Sequence, residues 1–133
     1  MLGPHLVLDL YGCPKEKLED VKFIYDLLDE LPEQIGMQKI MPPYVMRYVP
    51  EDDPLDWGIS GVVLIAESHI AIHTWPDLNY ASVDIFSCKT FNIDLAKELI
   101  EKKLSAQKTE WEILVRGREF PINLLKRGRN AAV

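Results

Sequence analysis

Residues 61–88 leave room for little but β-strand, and that stretch limits what the whole chain can become. Residues 61–66 are uniformly apolar, as a strand covered on both faces would be. Residues 70–74 and 80–88 also read as strands, joined by Trp75-Pro76-Asp77-Leu78-Asn79, a turn by composition. Further strand-like segments lie at 6–10, 37–41, 44–49 and 110–115. Only two stretches change period. Val21, Ile24, Leu28 and Leu31 recur at helical spacing behind an N-capping Asp20, with Gly36 as the stop and Pro32 expected to end or kink the helix. Leu95, Ala96, Leu99 and Lys103 mark the inner stripe of a second helix, capped by Asn92 or Asp94. This order predicts an α+β domain, a sandwich of mostly antiparallel sheet with two helices on one face. The second sheet face must be covered by a partner or used.

A chain of 133 residues is most simply a single domain, 1–133. Its net charge of −6, with basic residues gathered only near the C-terminus, argues against nucleic acid as a partner. Neither a membrane-length apolar run nor a signal-peptide pattern is present, which predicts a cytoplasmic protein without membrane attachment. Cys13 and Cys88 are too few for a disulfide framework and are expected to be reduced there.

The chemistry-bearing residues crowd into the β-rich stretch. Alternation puts His69, Ala71 and His73 on one face of their strand, with Ile70 and Ile72 on the other. In the next strand Ser82, Asp84 and Cys88 oppose Ala81, Val83 and Ile85. If like meets like across the hairpin, His69, His73, Asp84 and Cys88 share one polar sheet face. Each has a plain structural reading: Ser68 as a strand-end hydroxyl, the histidines as partners of Asp84 and water, Cys88 as a small buried apolar group. A metal is not expected, because the step from His69 to His73 spans roughly 13 Å of strand. A Cys-His hydrolase lacks a helix N-terminus to lower the thiol pKa. Residues 50–57, with four acids and two prolines, form a loop.

Gly-Ile-Ser-Gly-Val-Val, Ala-Glu-Ser-His-Ile-Ala-Ile-His-Thr-Trp-Pro and Val-Asp-Ile-Phe-Ser-Cys together resemble the bacterial and archaeal S-adenosylmethionine decarboxylase proenzymes. The resemblance is strongest over 58–88 and extends to Tyr11-Gly12-Cys13. It implies that fold, and a chain that cuts itself between Glu67 and Ser68 into a 1–67 β chain and a 68–133 α chain. In such proteins Ser68 attacks the preceding carbonyl, and elimination leaves a pyruvoyl group, the cofactor, at residue 68. His73 then matches the base of the elimination and Ser60 the serine assisting it. The pyruvoyl carbonyl forms a Schiff base with the substrate amine and draws electrons as carbon dioxide leaves. Cys88 matches the acid that returns a proton to the α-carbon. The implied substrate is S-adenosylmethionine, decarboxylated to an aminopropyl donor for spermidine synthesis. The sheet face without helices predicts a homodimer of processed protomers, with sites near the interface.

Departures fall at the substrate-reading edges. Val45-Met46-Arg47-Tyr48 stands where a Phe-His-x-Phe-like stretch is usual, the acidic loop is longer, Asp77 replaces a glutamate and Asn79 a glycine. Tyr48 and Trp75 still offer aromatic surface for a purine, and Asp77 an acceptor for ribose hydroxyls. Two alternatives stay open: the same pyruvoyl chemistry on arginine or ornithine, and an unprocessed small-molecule-binding or dimerisation module. The second would be expected to have lost Ser68, His73 or Cys88, and all three are present.

Overall fold

A computed structural model describes residues 2–66 and 68–120, so Glu67 and the C-terminal tail from 121 lie outside the described residues. Among the described residues six strands form one sheet, β1 (Gly3–Tyr11), β2 (Tyr44–Tyr48), β3 (Gly58–Ile65), β4 (Ser68–Trp75), β5 (Tyr80–Ser87) and β6 (Lys108–Arg116). Their order is β2-β3-β4-β5-β1-β6, and each adjacent pair is antiparallel. Two helices, α2 (Val21–Gln34) and α3 (Ile93–Leu104), cover one face, as the sequence leads one to expect. A short α1 (Lys15–Leu18), which periodicity does not reveal, precedes α2.

Alternation builds the core. Leu6, Leu8 and Leu10 of β1, Ile59, Val63 and Ile65 of β3, Ile70 and Ile72 of β4, and Val83 and Ile85 of β5 are all buried. From the helices they meet Ile24, Leu27, Leu28 and Leu31, and Ala96, Ile100 and Leu104. Both stripes sit slightly off the expected ones: Val21 is exposed and Leu27 takes its place, and the inner line of α3 is Ala96-Ile100-Leu104. At Gly61 an added Cβ would stand 2.8 Å from Leu28 Cδ1, so a side chain there would have to push Leu28 aside. Its absence lets α2 settle close to the sheet.

The caps explain the helix ends. Asp20 accepts from the Phe23 N–H, and Asn92 rather than Asp94 caps α3 by accepting from the Leu95 N–H. Pro32 does not end α2 at once: it stands in the last turn, with two helical residues after it. Gly36, at φ +77°, ends the run, with Gly36 N–H on Glu33 O and Met37 N–H on Pro32 O. That closure consumes Met37, so the expected strand at 37–41 is reduced to one bridge, Lys39 to Ile65, before Pro42.

A second expectation changes as well. β3 is not covered on both faces in this chain. Ile59, Val63 and Ile65 pack under α2, but Val62 is half-buried and Leu64 exposed on the opposite face. Tyr44, Met46 and Leu114 are exposed there too, so the helix-free face is apolar as well as polar.

Thr74 ties the layers together. Its hydroxyl, 3% exposed, donates to Leu18 O at 2.8 Å and accepts from Ile59 N–H at 3.0 Å. Thr74→Val keeps the shape and orphans both backbone groups. We expect a loss of about 1–3 kcal/mol, read as a lower urea midpoint at unchanged slope.

Candidate active site

The helix-free face carries the polar alternates of the same strands. His69, Ala71, His73 and Trp75 come from β4, Ser82 and Asp84 from β5, Ser60, Val62 and Leu64 from β3, and His5 from β1. Their positions follow from the buried alternates, because a one-residue slip would bring the histidines and Trp75 under the helices.

At one end of β4, Ser60 stands directly across from His73, and its Oγ lies 3.0 Å from His73 Nδ1. Trp75 stacks on Tyr80, directly opposite it, with ring centres 5.1 Å apart, and Tyr80 stacks in turn on Tyr11. The Tyr80 hydroxyl donates to Asp9 at 2.6 Å, and burial, reinforced by that carboxylate, pushes its pKa well above the usual phenol value. Tyr48, Asp56, Ser60, His73 and Trp75 line a shallow pocket at this end. A neighbouring hollow is lined by Tyr44, Met46, Val62, Ala71 and His73.

The acidic loop closes this end of the sheet. Trp75 Nε1–H donates to Asp56 at 2.7 Å, and Trp57 Nε1–H donates to Asp77 at 2.6 Å. Lys15 Nζ lies 2.8 Å from the other Asp77 oxygen, and the Arg47 guanidinium sits over the Trp57 ring. The Lys15 hydrogen bond, then that of Trp57, holds the Asp77 carboxyl below the ordinary aspartate value. Both of its oxygens are thus engaged within the chain. Asn79, at φ +54°, takes the left-handed turn that asparagine tolerates, and its side chain donates to Cys13 O.

The expected cleavage point is at the other end of β4. Ser68, half-buried, opens the strand and pairs with Ile65 on one side and Ser87 on the other. Cys88, also half-buried, is the residue after Ser87, the cross-strand partner of Ser68. Burial pushes the Cys13 thiol up to about 11, and no disulfide joins the two cysteines.

Not all of the sequence-predicted face comes together. His69 does meet Asp84, at 3.0 Å, whereas His73 is turned to Ser60. Asp84 finds instead His5, at 2.8 Å, a residue the sequence reading does not single out. Nothing in the sequence places β1 beside β5, so the proximity of residues 5 and 84 has no local signal. Ser68 and His73 are also well separated. Five residues of strand put them roughly 17 Å apart along β4.

The comparisons with known proteins agree with the fold. The profile of the family described as S-adenosylmethionine decarboxylase matches residues 4–117. The S-adenosylmethionine decarboxylase proenzyme of Carboxydothermus hydrogenoformans is 37% identical over 121 residues, 86% of this chain and 89% of that protein. The proenzyme of a Geobacillus species is 35% identical over 125 residues, 94% of each. Among solved structures, the adenosylmethionine decarboxylase from Aquifex aeolicus superposes with a TM-score of 0.73 at 32% identity, covering 87% of this chain and 91% of that one.

The Asp77 contacts predict a pH dependence. A depressed carboxylate contributes stability in full above its unfolded pKa and loses it as pH falls through the folded one. An NMR titration of the Asp77 carboxyl is expected to give a midpoint below the ordinary aspartate value, moving up in Lys15→Ala. An unshifted midpoint in the wild-type chain would remove the Lys15–Asp77–Trp57 contact from this account.

Proposed function

Because this chain belongs to the S-adenosylmethionine decarboxylase family, we propose that it is made as a proenzyme, cuts itself before Ser68, and decarboxylates S-adenosylmethionine. The observation that carries the reading is Ser68 itself. It stands at the head of β4, the strand that follows β3 in the chain, and Cys88 is the residue after its cross-strand partner.

The residues present fit a pyruvoyl group grown from the chain. Ser68 Oγ attacks the Glu67 carbonyl carbon; an ester forms as the amide bond breaks. Loss of the Ser68 α-proton then expels the Glu67 carboxylate, which keeps the former Oγ. The dehydroalanine left behind exchanges its nitrogen, as ammonia, for a water oxygen. Only a β-hydroxyl can both attack and leave in this way, and threonine would give a ketobutyryl group. Once formed, the pyruvoyl group supplies an electron sink for the departing carboxylate. Cys88 is the proposed acid beside it, delivering a proton from Sγ to the substrate α-carbon.

His73 is the proposed base of the elimination, with Ser60 holding its Nδ1. It cannot serve the Ser68 of its own chain across roughly 17 Å of strand. Two sheets packed face to face lie about 10 Å apart, and a two-fold axis lying between the open faces and perpendicular to β4 would set one end of β4 opposite the other end of its partner strand. We therefore place each site between two copies, with Ser68 and Cys88 from one protomer and Ser60, His73, Tyr48 and Trp75 from the other. The exposed Tyr44, Met46, Leu64 and Leu114 supply apolar surface for that pairing. Tyr48 and Trp75 are the surfaces offered to the purine. Asp77 would reach ribose hydroxyls only by yielding one of its two present partners. No helix among the described residues is long and apolar enough to cross a membrane.

Intact mass spectrometry of the purified protein should find chains 1–67 and 68–133, the second headed by pyruvoyl. Ser68→Ala should stay whole. Cys88→Ala should cleave yet release carbon dioxide from S-adenosylmethionine more slowly by about 10² to 10⁴. A wild-type chain that stays whole, or that prefers arginine or ornithine, would overturn the reading.

Assembly has its own test. His73→Ala alone should remain uncut. Co-expressed with Ser68→Ala, the His73→Ala chain should be cut, because the mixed dimer joins its Ser68 to an intact histidine. Failure to rescue, with mixed dimers demonstrated, would rule out the shared site.

A further inference from the structure

The cluster around Asp84 is not used by any step above. Asp84 Oδ2 lies 2.8 Å from His5 Nε2 and 3.0 Å from His69 Nε2, and Arg116 stands 2.9 Å from His5 Nδ1. Phe86, cross-strand neighbour of both histidines, packs against both rings, and the Arg116 guanidinium lies over it. All four polar residues are on the helix-free face, and the chain of contacts spans β6, β1, β5 and β4.

Two histidines and a carboxylate with donor atoms all within 4.8 Å also have the composition of a metal site. Arg116 decides against that use. A guanidinium can only donate, so it fixes Nδ1 of His5 as an acceptor and leaves the proton on Nε2, facing Asp84. An imidazole with a protonated Nε2 has no lone pair there for an ion. The arrangement is therefore a hydrogen-bond relay, Arg116 to His5 to Asp84, with His69 as the second donor to the carboxylate.

Its place in the chain gives it a task. His69 follows Ser68 directly. Self-cleavage, on which this inference rests, frees the head of β4 from the residue before it, and a strand end freed on one side frays. His69 is then the first side chain that can hold the new end to the sheet. His5 belongs to the 1–67 chain, whereas His69, Asp84 and Arg116 belong to 68–133, so the relay also spans the cut. We propose that Arg116, His5 and Asp84 act through His69 as positioning residues, which keep residue 68 in register for the decarboxylation step after the chain is cut. Misplacement by about 1 Å is enough to lower a rate by roughly 10².

The test compares two amides at one position in the full-length protein. In His69→Gln the side-chain nitrogen stands where Nε2 does and still reaches Asp84; in His69→Asn it stops near Nδ1. Self-cleavage is followed by intact mass, and kcat and KM are measured on S-adenosylmethionine. Both variants should cleave fully. His69→Asn is expected to lose about 10- to 100-fold in kcat with KM within roughly threefold, and His69→Gln to stay near wild type. Equal kcat for both variants, whether preserved or lost, overturns the inference, as does a His69→Asn chain that stays uncut. A wild-type chain that stays uncut would instead bring down the proposed function, which separates the two failures.

Discussion

β4 is pinned between β3 and β5, with Ile70, Ile72 and Thr74 locked beneath the helices. Because side chains alternate, burying those three forces His69, Ala71, His73 and Trp75 onto the opposite face at fixed spacing. The energy that holds the pattern comes from the core, about 1.5–3 kcal/mol for each fully buried isoleucine, and none of it has to come from the polar groups. The open face can therefore carry histidines, serines and a carboxylate whose positions are set by residues on the far side of the sheet.

The same strand geometry separates the chemistry. Ser68 and Cys88 gather at one end, Ser60, His73 and the aromatic pocket at the other. A single sheet cannot bring its own two ends together, since a strand is a rod of fixed rise. The proposed pairing of two copies across the open face would resolve this and would cover the apolar side chains the helices leave exposed. Assembly and catalysis would then have one physical origin.

The acidic loop, unexplained by composition, becomes a latch. Two indole N–H groups and one ammonium engage Asp56 and Asp77, so the loop is tied to the strand end that carries His73 and Trp75. Asp56 is the loop acid that reaches the sheet, whereas Glu51, Asp52 and Asp53 are exposed. Asp77, which stands where a glutamate is expected, is held by Trp57 and Lys15.

Local pattern alone determined most of the fold. Two helices on one face of an antiparallel sheet, the caps at Asp20 and Asn92, the turn at 75–79, and the alternation that sorts core from open face are all written within short windows of sequence. Ser68, His73 and Cys88 stood out for the same reason, as reactive types packed into a short β-rich run. What the tertiary structure decided was which segments lie side by side. It reduced 37–41 to a single bridge, because the closure of α2 at Gly36 uses the backbone of Met37. It also put β1 next to β5, bringing His5 to Asp84, and set Trp57 against Asp77. Burial, capping and alternation act over a few residues and leave their mark on each segment. Strand order and loop docking are settled by how all segments pack at once, and no single segment records them.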